Sequence, residues 1–139
     1  MADSDANGFV GTVVKLRVRY NECDPMGVAH HASYPVWLEI ARTELLREQG
    51  GAYRELEDSG VLFVVARMNL RYRKPARYDD ELAIAVRLEP SAGVKLEHSY
   101  EVRRGGEVLA KAETTLACVD REGKLRPVPE VLLPPSPRK

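Results

Sequence analysis

Beyond Gly60 the chain alternates apolar and polar residues almost without a break. Val64, Ala66, Met68, Leu70 and Tyr72 alternate with Arg67, Asn69, Arg71 and Arg73. Leu82 to Leu88, Val94 to Val102 and Val108 to Cys118 repeat the pattern. Successive side chains of a strand point to opposite faces, so each run predicts a strand with one buried face. Pro90 to Gly93 and Gly105-Gly106 supply turn residues between runs, which suits tight antiparallel connections. A fifth run comes first in the chain: Val10, Thr12, Val14, Leu16, Val18 and Tyr20 alternate with Lys15, Arg17 and Arg19.

Between the first run and Gly60 the period changes to that of a helix. Tyr34, Trp37, Leu38, Ala41 and Leu45 fall on one apolar stripe. Ser33 is the expected cap, Pro35 suits the first turn, and Gly50-Gly51 ends a helix of roughly 16 residues. Ala52 to Ser59 reads as a further short helical turn. One helix stripe and one sheet face can cover each other, which gives a two-layer α+β domain. The opposite sheet face carries Arg67, Arg71 and Arg73, and five strands leave two edges, so a homo-oligomer is expected. The expected limits are a flexible tail at 1–9, one domain at 10–131 and a Pro-rich tail at 132–139.

Charge narrows the partners. Lys plus Arg (21) equals Asp plus Glu (21), which argues against attraction of the whole molecule to nucleic acid or an anionic membrane. No apolar run approaches the roughly 18 residues of a membrane span. Met1 to Ala6 is small and acidic with no signal-like apolar stretch behind it, and two cysteines are too few for a disulfide framework. Reduced thiols and a cytoplasmic location are the expectation. No Walker or Gly-rich dinucleotide motif occurs, and no cofactor is expected.

The chemistry-bearing residues crowd into Arg19 to Tyr34. A helix start offers unpaired N–H groups that can hold an oxyanion, and a carboxylate beside it can attack or activate water. Asp24 fits that role, or else simply holds a turn before Pro25. Glu22 on the same loop reads as solvated. His30, His31 and Asp24 lack a third partner at metal-motif spacing, so no metal site is expected. Cys23 with His31 as its base lacks any cysteine-hydrolase signature. His98, on an apolar strand face, reads as a satisfied core histidine.

These residues also form a pattern: Arg19-Tyr20, Glu22-Cys23-Asp24, Gly27-Val28, His31-Ala32-Ser33-Tyr34, Trp37-Leu38-Glu39 and Ala41-Arg42-Thr43-Glu44. Leu70 to Asp80 and Ala112-Glu113-Thr114-Thr115 extend it in register. The chain in this respect resembles hotdog-fold acyl-CoA thioesterases of the 4-hydroxybenzoyl-CoA and Tol–Pal-associated branch. It departs from many relatives at Ala29 and His30, where they carry an apolar residue and an aromatic.

The resemblance implies a hotdog fold, with a five-stranded antiparallel sheet wrapped around one long central helix. It implies a homodimer or homotetramer with the site at a dimer interface, and acyl-CoA as the substrate, hydrolysed to a free acid and CoA. Asp24 would be nucleophile or general base. The His31 N–H would polarise the thioester oxygen, with its imidazole near substrate or leaving thiolate. Gly27, Val28, His30 and Tyr34 would touch substrate. Arg71, Arg73, Lys74 and Arg77 form the densest basic cluster for the CoA phosphates, with Lys95, Arg103 and Arg104 as alternatives and a solvated strand face as the plain reading. A hotdog dehydratase or hydratase, or a non-catalytic acyl-CoA-binding protein, remain the alternatives.

Overall fold

The computed structural model of the chain describes residues 3–4, 10–51 and 53–133. Its elements in chain order are β1 (Asp3–Ser4), β2 (Val10–Arg17), α1 (Ser33–Glu48), α2 (Tyr53–Asp58), β3 (Leu62–Tyr72), β4 (Glu81–Glu89), β5 (Lys95–Arg104) and β6 (Glu107–Val119). Short 3-10 turns occupy Tyr20–Glu22 and Glu130–Leu132. All strands join one antiparallel sheet in the order β1-β2-β4-β5-β6-β3.

That order explains the central helix. The chain leaves the sheet at β2 and re-enters at β3, on the far side of β4, β5 and β6. Four strand spacings span about 19 Å, and the 16 residues of α1 span about 24 Å. The helix, with the short α2 that follows it, therefore carries the chain the distance from the β2 side of the sheet to β3. Its stripe of Trp37, Leu38, Ala41 and Leu45 is fully buried, together with Leu82, Ile84, Val102, Leu109 and Leu116 of the sheet. The alternation read from β2, β4, β5 and β6 holds, because one face of each packs into the core that includes the α1 stripe.

The helix ends as expected. Gly50 adopts φ +88°, its N–H reaches the Arg47 carbonyl, and the Gly51 N–H reaches the Leu46 carbonyl, closing a Schellman motif. Its start differs. Ser33 is the first helical residue rather than the cap, and its hydroxyl donates to the Glu22 carbonyl at 3.0 Å.

β3 also departs from expectation. A bulge between Val65 and Arg67 interrupts its register with β6. Val64, Val65 and Tyr72 are 48%, 46% and 48% exposed. β3 is the outermost strand, while α1 packs chiefly on β2 and β4, so the chain itself leaves the predicted apolar face of β3 open. The expected tails fall outside the described residues except for β1, which pairs with β2, and for Leu132 and Leu133; Leu132 is buried in the core.

Candidate active site

The loop from β2 to α1 is a small, tightly bonded hairpin. Val18 exchanges backbone bonds with Asp79 and Asp80 (3.0 and 2.9 Å), which anchors the strand end. Cys23 and Ala29 then pair across the intervening residues, with the Asp24 N–H on the Val28 carbonyl at 2.9 Å. Gly27 turns the chain at φ +80°, a left-handed conformation that favours glycine. The Asp24 carboxylate Oδ1 accepts the Met26 N–H at 2.8 Å and the Val28 N–H at 3.4 Å. The turn-holding reading of Asp24 is thus true of one oxygen. Oδ2 has no hydrogen-bond partner among the described residues. Asp24 is half-buried and lines a cleft of about 530 Å³ with Tyr20, Cys23, Pro25, Gly27 and Tyr78.

Glu22 is not solvated. It is 8% exposed, because donors from both sides of the loop converge on it. Oε1 accepts the Arg19 N–H at 2.7 Å, and Oε2 accepts the Trp37 indole N–H at 2.9 Å and an Arg19 guanidinium N–H at 3.3 Å. Burial pushes its pKa up, but the hydrogen bonds from the Arg19 backbone, Trp37 and the Arg19 side chain outweigh that and hold it below the ordinary value.

The helix start follows directly. The His30 N–H donates to the Glu22 carbonyl at 2.7 Å, its Nδ1 accepts the Ala32 N–H at 3.1 Å, and its carbonyl accepts the Ser33 N–H at 2.9 Å. His30 thus ties down the residues that lead into α1, whose N-cap is Ala32, with its ring 4.1 Å from that of His31. The His31 carbonyl accepts the Tyr72 hydroxyl at 3.0 Å, while its N–H has no acceptor among the described residues. His31 lines a second cleft of about 280 Å³ with Ala29, Tyr34, Tyr72, Arg73, Lys74 and Pro75. Tyr34 is buried, meets the Ala76 N–H at 3.4 Å and stands edge-on to Tyr72. Burial pushes its hydroxyl pKa up, so it stays protonated. Asp24 and His31 thus share one bonded loop but open into different clefts of a single chain.

The basic cluster divides. Arg71 forms a two-pronged bond with Glu113 across the β3–β6 ladder (3.1 and 2.8 Å), and Lys74 pairs with Glu107. Arg103 pairs with Glu101, and Arg104 holds both Asp80 and Glu107 at 2.8 Å. Arg73 and Arg77 make no ion pair among the described residues. Val28 bridges to Arg77 in backbone pairing, which brings the two distant sequence blocks to one place.

His98 is buried as read from sequence, but not satisfied: its Nδ1 has no partner among the described residues. Burial first, and the neighbouring Arg42 cation second, push its pKa down to about 3. Arg42, whose Nη1 equally has no partner among the described residues, was missed by sequence reading, which placed it only as part of a helix motif. Tyr72 was read as a core residue and instead bonds the His31 carbonyl. An aromatic at the end of an edge strand gives no sequence signal for that. Cys23 is half-buried and Cys118 buried, both free thiols. Among the described residues no cluster of three or more His, Cys, Asp or Glu side chains forms a metal site, and no helix is long and apolar enough to cross a membrane.

Residues 18–135 match the family model of the thioesterase-like superfamily. The chain is 38% identical over 106 residues to the acyl-CoA thioester hydrolase YbgC of Shigella flexneri, covering 76% of this chain and 79% of that protein. It is 35% identical over 123 residues to the acyl-CoA thioesterase YbgC of Haemophilus influenzae, covering 88% of each. The crystal structure of a DHNA-CoA thioesterase from Staphylococcus aureus superposes with a TM-score of 0.78 at 27% identity, over 85% of this chain and 79% of that one.

Proposed function

The chain belongs to the thioesterase-like superfamily, and from that membership we propose that it hydrolyses acyl-CoA thioesters to a free acid and CoA, with Asp24 as the reacting carboxylate. The observation that carries the reading is the Asp24 turn. One oxygen is held by two backbone N–H groups while the other has no partner among the described residues, so the anion is both oriented and available. Oδ2 attacks the thioester carbonyl carbon, expelling CoA thiolate and leaving a mixed anhydride that water cleaves, or it takes the proton of the attacking water. The His31 N–H at the start of α1, which has no acceptor among the described residues, is the donor for the developing oxyanion.

Asp24 and His31 face different clefts in one chain. We therefore assign the complete site to a dimer interface, formed along the open β3 edge, where a second copy closes the gap between them. The CoA phosphates fall to Arg73 and Arg77, the two cations of the cluster that make no ion pair among the described residues. Arg73 lines the His31 cleft, and Arg77 pairs with Val28 of the Asp24 loop.

The test is incubation of the purified protein with a panel of acyl-CoAs and a thiol reagent. Release of free CoA on several members supports hydrolysis. Saturable binding without release supports a binding protein, and hydration of an enoyl-CoA without release supports the hydratase reading.

A further inference from the structure

Glu22 receives five hydrogen bonds from four residues on both arms of the Asp24 loop. Its carboxylate takes the Arg19 N–H, the Arg19 guanidinium and the Trp37 indole. Its carbonyl takes the His30 N–H and the Ser33 hydroxyl. Arg19 is the last residue before the 3-10 turn, Trp37 lies one helical turn inside α1, and His30 precedes the expected oxyanion donor. Asp24 is two residues beyond Glu22, so the carboxylate and the His31 N–H are both spaced from the same buried anchor. With both oxygens engaged by donors of its own chain and the residue buried, Glu22 is held away from the role of attacking group.

We propose that Glu22 is a positioning residue for thioester hydrolysis, whose buried carboxylate ties the β2 end to α1 and thereby sets the separation of the Asp24 carboxylate from the His31 N–H. The proposal rests on the hydrolase reading above. Small displacements of reacting groups are expensive in rate, about 10²-fold for roughly 1 Å, whereas substrate affinity set at the cleft walls is affected little.

In Glu22→Gln the amide keeps one acceptor oxygen but turns an NH₂ group toward either the Arg19 N–H or the Trp37 indole N–H, so one donor is left facing a donor. At a temperature well below the midpoint of melting, kcat is expected to fall about 10- to 100-fold with KM for acyl-CoA nearly unchanged. Trp37→Phe removes one donor and keeps an aromatic ring in the core, though a smaller one, and is expected to lower kcat less, again at constant KM. The decisive arm is single-turnover hydrolysis at high enzyme concentration in an Asp24→Asn background. There Glu22→Gln is expected to add little further loss, since a misplaced carboxylate that is already absent costs nothing more.

Wild-type kcat in folded Glu22→Gln overturns the positioning role, as does a loss that multiplies fully onto Asp24→Asn. If Glu22→Gln does not fold, wild-type kcat in Trp37→Phe overturns it. A wild-type protein that releases CoA from no acyl-CoA overturns the hydrolase reading first, and the positioning role with it.

Discussion

Asp24 uses its two oxygens differently, and this makes its chemistry separable from its structure. Asparagine retains an acceptor oxygen for the Met26 and Val28 N–H groups but carries no charge. Asp24→Asn should keep its melting temperature while turnover falls by about 10²–10⁴-fold or more. Circular dichroism and CoA release would check this, and near-wild-type turnover would remove Asp24 from the mechanism. Asp24→Ala should lose the turn as well, with about 1 kcal/mol of stability. The second residue whose behaviour follows from its surroundings is His98. Its pKa is 6.5 when unfolded and about 3 in the core beside Arg42. Between those values the unfolded chain binds a proton that the folded chain refuses. Stability is therefore complete above pH 6.5 and is lost as pH falls towards 3, with a limiting slope of about 1.4 kcal/mol per pH unit. Glu22, Asp80 and Glu107 are held below their ordinary values of 4.5, 3.8 and 4.5, so they add to the loss only in more acid solution. Between pH 6.5 and 4.5, thermal melts should show a falling midpoint that His98→Leu flattens. An unaltered slope in His98→Leu would mean that the folded histidine takes up protons freely.

β3 and the segment after it show what a single sequence does and does not disclose. β2, β4, β5, β6 and the α1 stripe were legible because each is covered by its own chain, so period alone predicts burial. For β3 the same period misled, since its exposure depends on its place at the end of the sheet and on a bulge that no residue pattern announces. The basic cluster misled for a related reason. Arg71 and Lys74 look as free as Arg73 and Arg77 until the β3–β6 register brings Glu113 to Arg71, and the β5–β6 turn brings Glu107 to Lys74. Glu22 was hidden because its donors come from Trp37, fifteen positions on, as well as from Arg19, three positions back. A double change separates the two pairs of cations. Arg73→Ala with Arg77→Ala should raise KM for acyl-CoA by about 10- to 100-fold, as expected for losing a charge-assisted phosphate contact. It should leave a short thioester lacking the nucleotide nearly unaffected. Arg71→Ala with Lys74→Ala removes exposed, solvent-screened ion pairs and should leave KM alone. Equal KM increases in both double variants would return the whole cluster to a general electrostatic effect.

At the scale of the molecule, the two ends of the sheet are unequal. β1 contributes two residues at one edge, whereas β3 presents eleven at the other, with Val64 and Val65 about half exposed. A long apolar edge with unpaired backbone groups is a template for a further strand, and natural sheets left monomeric usually blunt it with charge or proline. The stretch Leu62 to Ala66 has neither. A second copy supplies an edge of the same length and chemistry, and its arrival would also bring another Asp24 loop and another His31 cleft to the interface. Light scattering should accordingly give at least twice the 15.6 kDa of the chain. Val64→Lys with Val65→Lys places two charges on that edge and should yield a folded monomer, recognisable by an unchanged circular dichroism spectrum, with turnover reduced by about 10²-fold or more because the shared site is split. A stable 15.6 kDa species with full activity would contradict both the pairing of β3 edges and the shared site. A variant that stays dimeric but loses turnover would place the interface elsewhere, and the outer sheet face lined by Arg87, Ser99 and Lys111 is then the surface to mutate next.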